Sequence, residues 1–127
     1  MKIEVDHGFI EIPNFERYDF DCNCGCGLNN IRNVFLWKLQ LTRTEAQFPF
    51  KINSGCRCKK HNKKEGGTFT SDHLTGEGAD IAVSGSWQRL KLVEAAIRSG
   101  FIRIGVAKTF IHLGDNTRQN PVGLWTY

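Results

Sequence analysis

Apolar positions along the chain fall into two periodicities. Between Asn30 and Gln47, Ile31, Val34, Phe35 and Leu39 recur at helical spacing, with Leu28 and Thr42 extending the stripe. Arg32, Lys38 and Arg43 can project outward, Asn29 or Asn30 can cap the helix, and Pro49 ends it. A second helix is predicted over 86–99: Ser86 is a suitable N-cap, Leu90, Val93, Ala96, Ile97 and Phe101 mark one face, and Gly100 is its stop. Shorter apolar runs at 50–54, 79–83, 102–106, 110–114 and 122–126 read as strands. Residues 1–20 read as an extended arm wrapping the core, and Lys59–Lys64 as a helical turn stopped by Gly66 and Gly67. Thr68–Asp72 read as a polar loop. The expected fold is α+β, a small antiparallel sheet with helices packed on one face, in a single domain spanning 1–127.

Composition adds little to this pattern. At 40% hydrophobic, 127 residues can bury a core without metal or disulfides. The net charge of +4 suits an anionic polymer partner but selects none, and Lys59, Lys60, Lys63 and Lys64 read as a solvated turn. No apolar run approaches the roughly 20 residues of a membrane span. The acid-bearing N-terminus does not read as a secretory signal, so cytoplasmic synthesis is expected. His7 and His61 read as surface residues.

The cysteines change the picture more. Cys22, Cys24, Cys26, Cys56 and Cys58 are odd in number and sit in two short clusters, unlike a secreted disulfide scaffold. An extended DCNCGCG segment would turn its three thiols to one side, which opens a soft-metal site with Cys56 or Cys58 as further ligands. The C-x-C-x-C spacing is not the common C-x-x-C knuckle. Small packing residues or a disulfide are the simpler expectation.

Candidate chemistry concentrates between Lys51 and Val83. His73 and Asp80 stand seven residues apart across a turn containing Gly76 and Gly78, and His112 follows inside an apolar strand. Asp80 interrupts a buried run, where a lone charge is costly and needs a strong partner. Two imidazoles and one carboxylate would leave a fourth zinc position open for water.

The strings SGCRCKKHNKKEGG, SDHLTGEGADI and IGVAKTFIHLGD closely resemble the zinc D-Ala-D-Ala carboxypeptidase family, most of all its small single-domain members from phages. The shared motif is S-x-H-x-x-G-x-x-x-D with an upstream S-G-x-R. The resemblance implies a hedgehog/DD-peptidase-like fold, Zn²⁺ as cofactor, and His73, Asp80 and His112 as its ligands. It implies that Arg57 binds the substrate carbonyl or carboxylate and that Ser71 is a supporting hydrogen-bonder. Many relatives carry a carboxylate or histidine two residues after the last ligand, and others a carboxylate three before it. Here those positions are Gly114 and Thr109. Asp115 is the first candidate for the general base, with Glu77 and Asp72 as alternatives. The activity implied is hydrolysis of peptidoglycan stem peptides, as a D-Ala-D-Ala carboxypeptidase or an endolysin-type peptidase acting on the cell wall in phage or prophage lysis. The expected state is a monomer with no nucleic-acid or membrane partner. Two other readings stand beside it. One is a zinc-containing binding module, since hedgehog signalling domains are similar and keep the zinc. The other is a nucleic-acid-binding zinc protein built on the cysteines and Lys59–Lys64.

Overall fold

Seven strands and three helices make up the computed structural model, which describes residues 1–127. In chain order they are β1 (Lys2–Val5), β2 (Gly8–Glu11), α1 (Asn33–Ala46), β3 (Ile52–Ser54), α2 (Lys59–Lys64), β4 (Gly78–Ala82), α3 (Gly85–Arg98), β5 (Arg103–Val106), β6 (Phe110–Gly114) and β7 (Gly123–Thr126). The architecture is α+β, as the hydrophobic pattern predicts. The main sheet runs β3-β4-β6-β5-β7. Its first four strands pair antiparallel, but β7 lies parallel to β5, so the sheet is mixed rather than purely antiparallel. Strand direction is set by the path of the 115–122 segment, which local periodicity does not encode. The N-terminal arm is a β1–β2 hairpin whose Ile3 is buried, with Ile12 buried just beyond it.

Period-two alternation gives the sheet two unlike faces. Ala79 and Ile81 of β4 and Ile111 and Leu113 of β6 are fully buried in the core, against Phe35, Leu36 and Leu39 of α1 and Leu92, Ala95 and Ala96 of α3. Each large apolar side chain buried this way contributes about 1.5–3 kcal/mol. Phe101 meets Phe35 edge-on at 5.8 Å and closes the layer. The apolar stripe of α3 differs from expectation. Leu90 and Ile97 are more than half exposed, and Leu92 with Ala95 and Ala96 forms the packed face. On α1, Val34 is likewise exposed while Leu36 is buried. The small alanines let α3 lie close, a choice made by tertiary packing.

Candidate metal centre

One transverse row across the other face of the sheet carries the chemistry. The register places Ser54 beside Asp80, Asp80 opposite His112, His112 beside Gly105, and Gly105 beside Trp125. His73 joins this row from outside the sheet, on a 3-10 turn over Asp72–Thr75 whose N-cap is Ser71, the Ser71 hydroxyl accepting from the His73 N–H at 3.3 Å. The backbone N–H of Arg57 donates to the His73 carbonyl at 3.0 Å, tying the turn to the loop after β3.

Each imidazole is fixed through one nitrogen and presents the other. His73 Nδ1 lies 2.7 Å from the Gly55 carbonyl, which can only accept, so Nδ1 carries the proton and Nε2 is free. His112 Nε2 donates to Asp72 Oδ2 at 2.8 Å, leaving Nδ1 on the far side. Asp80 Oδ1 faces both free nitrogens, at 3.3 Å from His73 and 2.8 Å from His112. Zinc–nitrogen and zinc–oxygen bonds of about 2.0–2.1 Å in a tetrahedron separate ligand atoms by roughly 3.3 Å. One observed spacing equals that value and the other lies about half an ångström inside it. The donor set and its outer hydrogen bonds therefore fit zinc, with His73 Nε2, Asp80 Oδ1 and His112 Nδ1 as ligands.

The electrostatics are those of a buried, tightly paired group. Burial opposes ionisation of Asp80, but hydrogen bonds from His112 and His73 outweigh it and hold the carboxyl far below its usual range. Burial holds the His73 imidazole below its ordinary value, against the pull of Asp80. Burial also opposes protonation of His112, yet Asp72 and Asp80 on either side raise it.

Asp72 was the least expected member of this network. It is 2% exposed and accepts from His112, from Arg103 Nε and Nη2 at 3.1–3.3 Å, and from the Asn116 N–H at 2.9 Å. Those bonds, led by His112 and Arg103, overcome the cost of burial and keep it ionised below its ordinary range. Arg103, itself buried, stacks on Trp125 at 4.9 Å and donates to the Pro121 carbonyl. A Cβ at Gly114 would stand 2.2 Å from Asp72 Oδ2. The Asp72 carboxylate thus fills the space that a side chain two residues after His112 would take. From sequence, Asp72 reads only as a candidate base, and Arg103 has no assigned role. The signal was there, in an arginine inside the apolar run FIRIGV.

The other candidates fall in different places. Arg57 is mostly buried and donates to Ser54 Oγ at 3.0 Å, Asn62 Oδ1 at 3.4 Å and Asp80 Oδ2 at 3.3 Å, so it steers the outer oxygen of Asp80. Asp115 turns toward α1, where Lys38 binds it at 2.7 Å. Glu77 pairs with Arg118 and Arg32. Neither lines the cleft over the trio, a space of about 980 Å³. His61 does line it, with a side chain only 10% exposed and Nε2 3.8 Å from Glu65, so it is not the surface residue expected. Only three of the 21 lining residues are hydrophobic, which suits a polar ligand.

No curated protein matches the chain. A family model described as Peptidase M15 matches residues 13–114, a span that takes in His73, Asp80 and His112 and stops one residue short of Asp115. Within it, His73, Asp80 and His112 form a group that could hold a metal ion. That match covers most of the sequence: the chain belongs to the M15 family of zinc-dependent peptidases.

Proposed function

We propose that the protein hydrolyses peptide bonds of peptidoglycan stem peptides, as a D-Ala-D-Ala carboxypeptidase or a related endolysin-type peptidase. The observation that carries this reading is the pairing of Asp80 with His112 on the sheet, completed by His73, in the floor of an open polar cleft. Zinc held by these three supplies Lewis acidity toward a carbonyl and a water nucleophile near neutral pH. The chain's own residues do the rest. Arg57, braced by Ser54 and Asn62, offers its remaining N–H donors to a substrate carboxylate or carbonyl, for which a planar, permanently charged fork is suited. Ser71 caps the His73 turn and keeps a hydroxyl proton to donate into the cleft. Asp72 and Arg103 hold His112 in one tautomer and orientation.

Proton transfer is the open role among the cleft residues. Asp115 would have to leave Lys38 to perform it, and Asp72 has both oxygens committed on the side of His112 away from Asp80. His61, with Glu65 beside it, lines the cleft and is tied up by neither kind of partner, so we assign it the proton transfer. That Asp115 and Asp72 are both held by other partners favours the second reading, a zinc-containing module that binds wall peptides without cutting them.

Mass spectrometry of products from purified peptidoglycan and synthetic stem pentapeptides, with and without chelator, separates these. Chelator-sensitive loss of one terminal D-alanine identifies a carboxypeptidase, and an internal cut an endopeptidase. No product from protein holding zinc at the trio moves the conclusion to the binding module.

A further inference from the structure

We infer that Cys22, Cys24, Cys26 and Cys58 hold a second zinc ion, a closed structural site separate from the peptidase centre. The four Sγ atoms all lie within 4.8 Å of one another. Cys22 Sγ is 3.4 Å from Cys24 Sγ, which is 3.7 Å from Cys58 Sγ. A zinc–sulfur bond of about 2.3 Å in a tetrahedron sets sulfurs roughly 3.8 Å apart, so the cluster has the size of a tetrathiolate cage. Cys56 is excluded. It is buried in the core, with its sulfur toward Asn29 Oδ1 at 3.9 Å.

The backbone is arranged for four sulfurs rather than for packing. Cys24 and Cys26 are exposed, so no core requires them. The loop from Cys22 to Leu28 closes on itself through Gly25 N–H to the Cys22 carbonyl at 3.2 Å and Cys22 N–H to the Leu28 carbonyl at 3.0 Å. It passes through Gly25 at φ 81° and Gly27 at φ 86°, conformations other residues adopt only with strain. The Phe20 carbonyl, just ahead of this loop, accepts from the Cys56 N–H at 2.9 Å and docks the 55–58 segment beside it. Backbone donors then point at sulfur. The Cys58 N–H lies 3.4 Å from Cys22 Sγ and the His61 N–H 3.3 Å from Cys58 Sγ. Such donors favour the thiolate form that a metal needs, and they orient ligands from behind.

Four thiolates leave the centre negatively charged after zinc binds. The lysine-rich α2, which starts immediately after Cys58, supplies opposing charge, so the lysine cluster acquires a local purpose. On binding, each thiol gives its proton to solvent and its lone pair to the metal, with no redox step. With all four positions filled by cysteine, the site has no place for substrate. Its consequence is mechanical. Cys58 adjoins Arg57, and Asn23 of the same loop lines the cleft and donates to the Asn53 carbonyl at 2.8 Å. The ion would clamp the wall of the cleft from which Arg57 reaches Asp80.

Native mass spectrometry and cobalt substitution of the intact protein test this. Two zinc ions per chain are expected, and the cobalt form should show thiolate-to-metal charge-transfer absorption in the near ultraviolet, which a site of two histidines and an aspartate does not produce. The Cys24→Ser/Cys26→Ser variant, altered only at exposed positions, should lose that absorption and one zinc while keeping the other. A wild-type protein with one zinc, no such absorption, and a mass lowered by two hydrogen atoms per bridge would overturn the inference in favour of disulfides. One zinc with the cluster thiols freely titratable would overturn it in favour of plain cysteines.

Discussion

The two clusters of ligating side chains are built by opposite means. The centre of His73, Asp80 and His112 is made by long-range order: two facing strands and a capped turn, with all three groups shielded and each imidazole tied from behind. The cysteine cluster takes three of its four thiols from one glycine-bearing loop and the fourth from Cys58, 34 residues beyond Cys24, and two of the four are exposed. The first is braced by hydrogen bonds to both imidazoles and opens on the cleft. The second, with cysteine at all four positions, has no open side. A catalytic ion needs a preformed, partly open site, whereas a structural ion can itself supply the order.

The sharpest way to break the comparison is to remove a ligand from the preformed centre. Asp80→Ala should abolish hydrolysis and one zinc while the sheet persists, because the core faces of β4 and β6 are untouched. Zinc count, circular dichroism and product mass spectrometry read this out. Retained activity would show that the trio is not the reactive centre.

Next in size is Asp72→Asn. Loss of an outer hydrogen-bonding partner of a ligating histidine costs about 10- to 100-fold in metal affinity or activity. It also leaves Arg103 buried without its counter-charge, a change on the order of 3–5 kcal/mol for a broken buried pair. Chelator competition and denaturant titration measure the two effects separately. If Asp72 were the proton carrier instead, turnover would vanish with zinc affinity unchanged.

Gly114→Ala should give a weaker copy of that variant. The new methyl group meets Asp72 Oδ2 at 2.2 Å and must push the carboxylate off His112. Overpacking of this kind costs about 1–3 kcal/mol. A Gly114→Ala protein with wild-type stability and zinc affinity would mean that Asp72 can shift without consequence.

These variants also mark what was legible in the sequence. The strands were, because Ala79–Val83 and Phe110–Leu113 are apolar runs each interrupted by one polar residue, and that interruption is the cleft face. Asp80 and His112 were legible for the same reason, and His73, on its turn, by its spacing from Asp80 across Gly76 and Gly78. Their outer partners were not. Asp72 sits in what reads as a polar loop, and nothing local links it to Arg103 thirty-one residues on. His61 reads as one more member of a charged turn, although its ring is mostly shielded and lines the cleft. Cys58 and Cys56 are indistinguishable by spacing, and only the docking of Cys56 against Phe20 decides between them. In each case the missing fact was the identity of a distant neighbour, which periodicity does not carry.

The smallest expected effect sharpens the comparison from outside both clusters. Glu77 is buried at the entry to β4, and burial by itself would raise its carboxyl. Hydrogen bonds from Arg118 and the charges of Arg32 and Arg118 outweigh burial and lower it below the ordinary value of 4.5. A carboxyl depressed in the folded state stabilises fully above its unfolded value, and that contribution disappears as pH falls through the folded one. Stability should therefore drop on acidification below about pH 4.5 more steeply in the wild type than in Glu77→Gln, the two curves converging at the acid end. Urea titrations of both proteins between neutral pH and pH 3, with chelator throughout so that metal release is common to both, provide the difference. Parallel curves would mean that Arg118 and Arg32 contribute nothing to folding. The effect is modest because both arginines are more than half exposed and their attraction is screened by water. The shielded pairing of Asp72 with Arg103 has no such screening, which is why its loss heads toward several kcal/mol while this one does not.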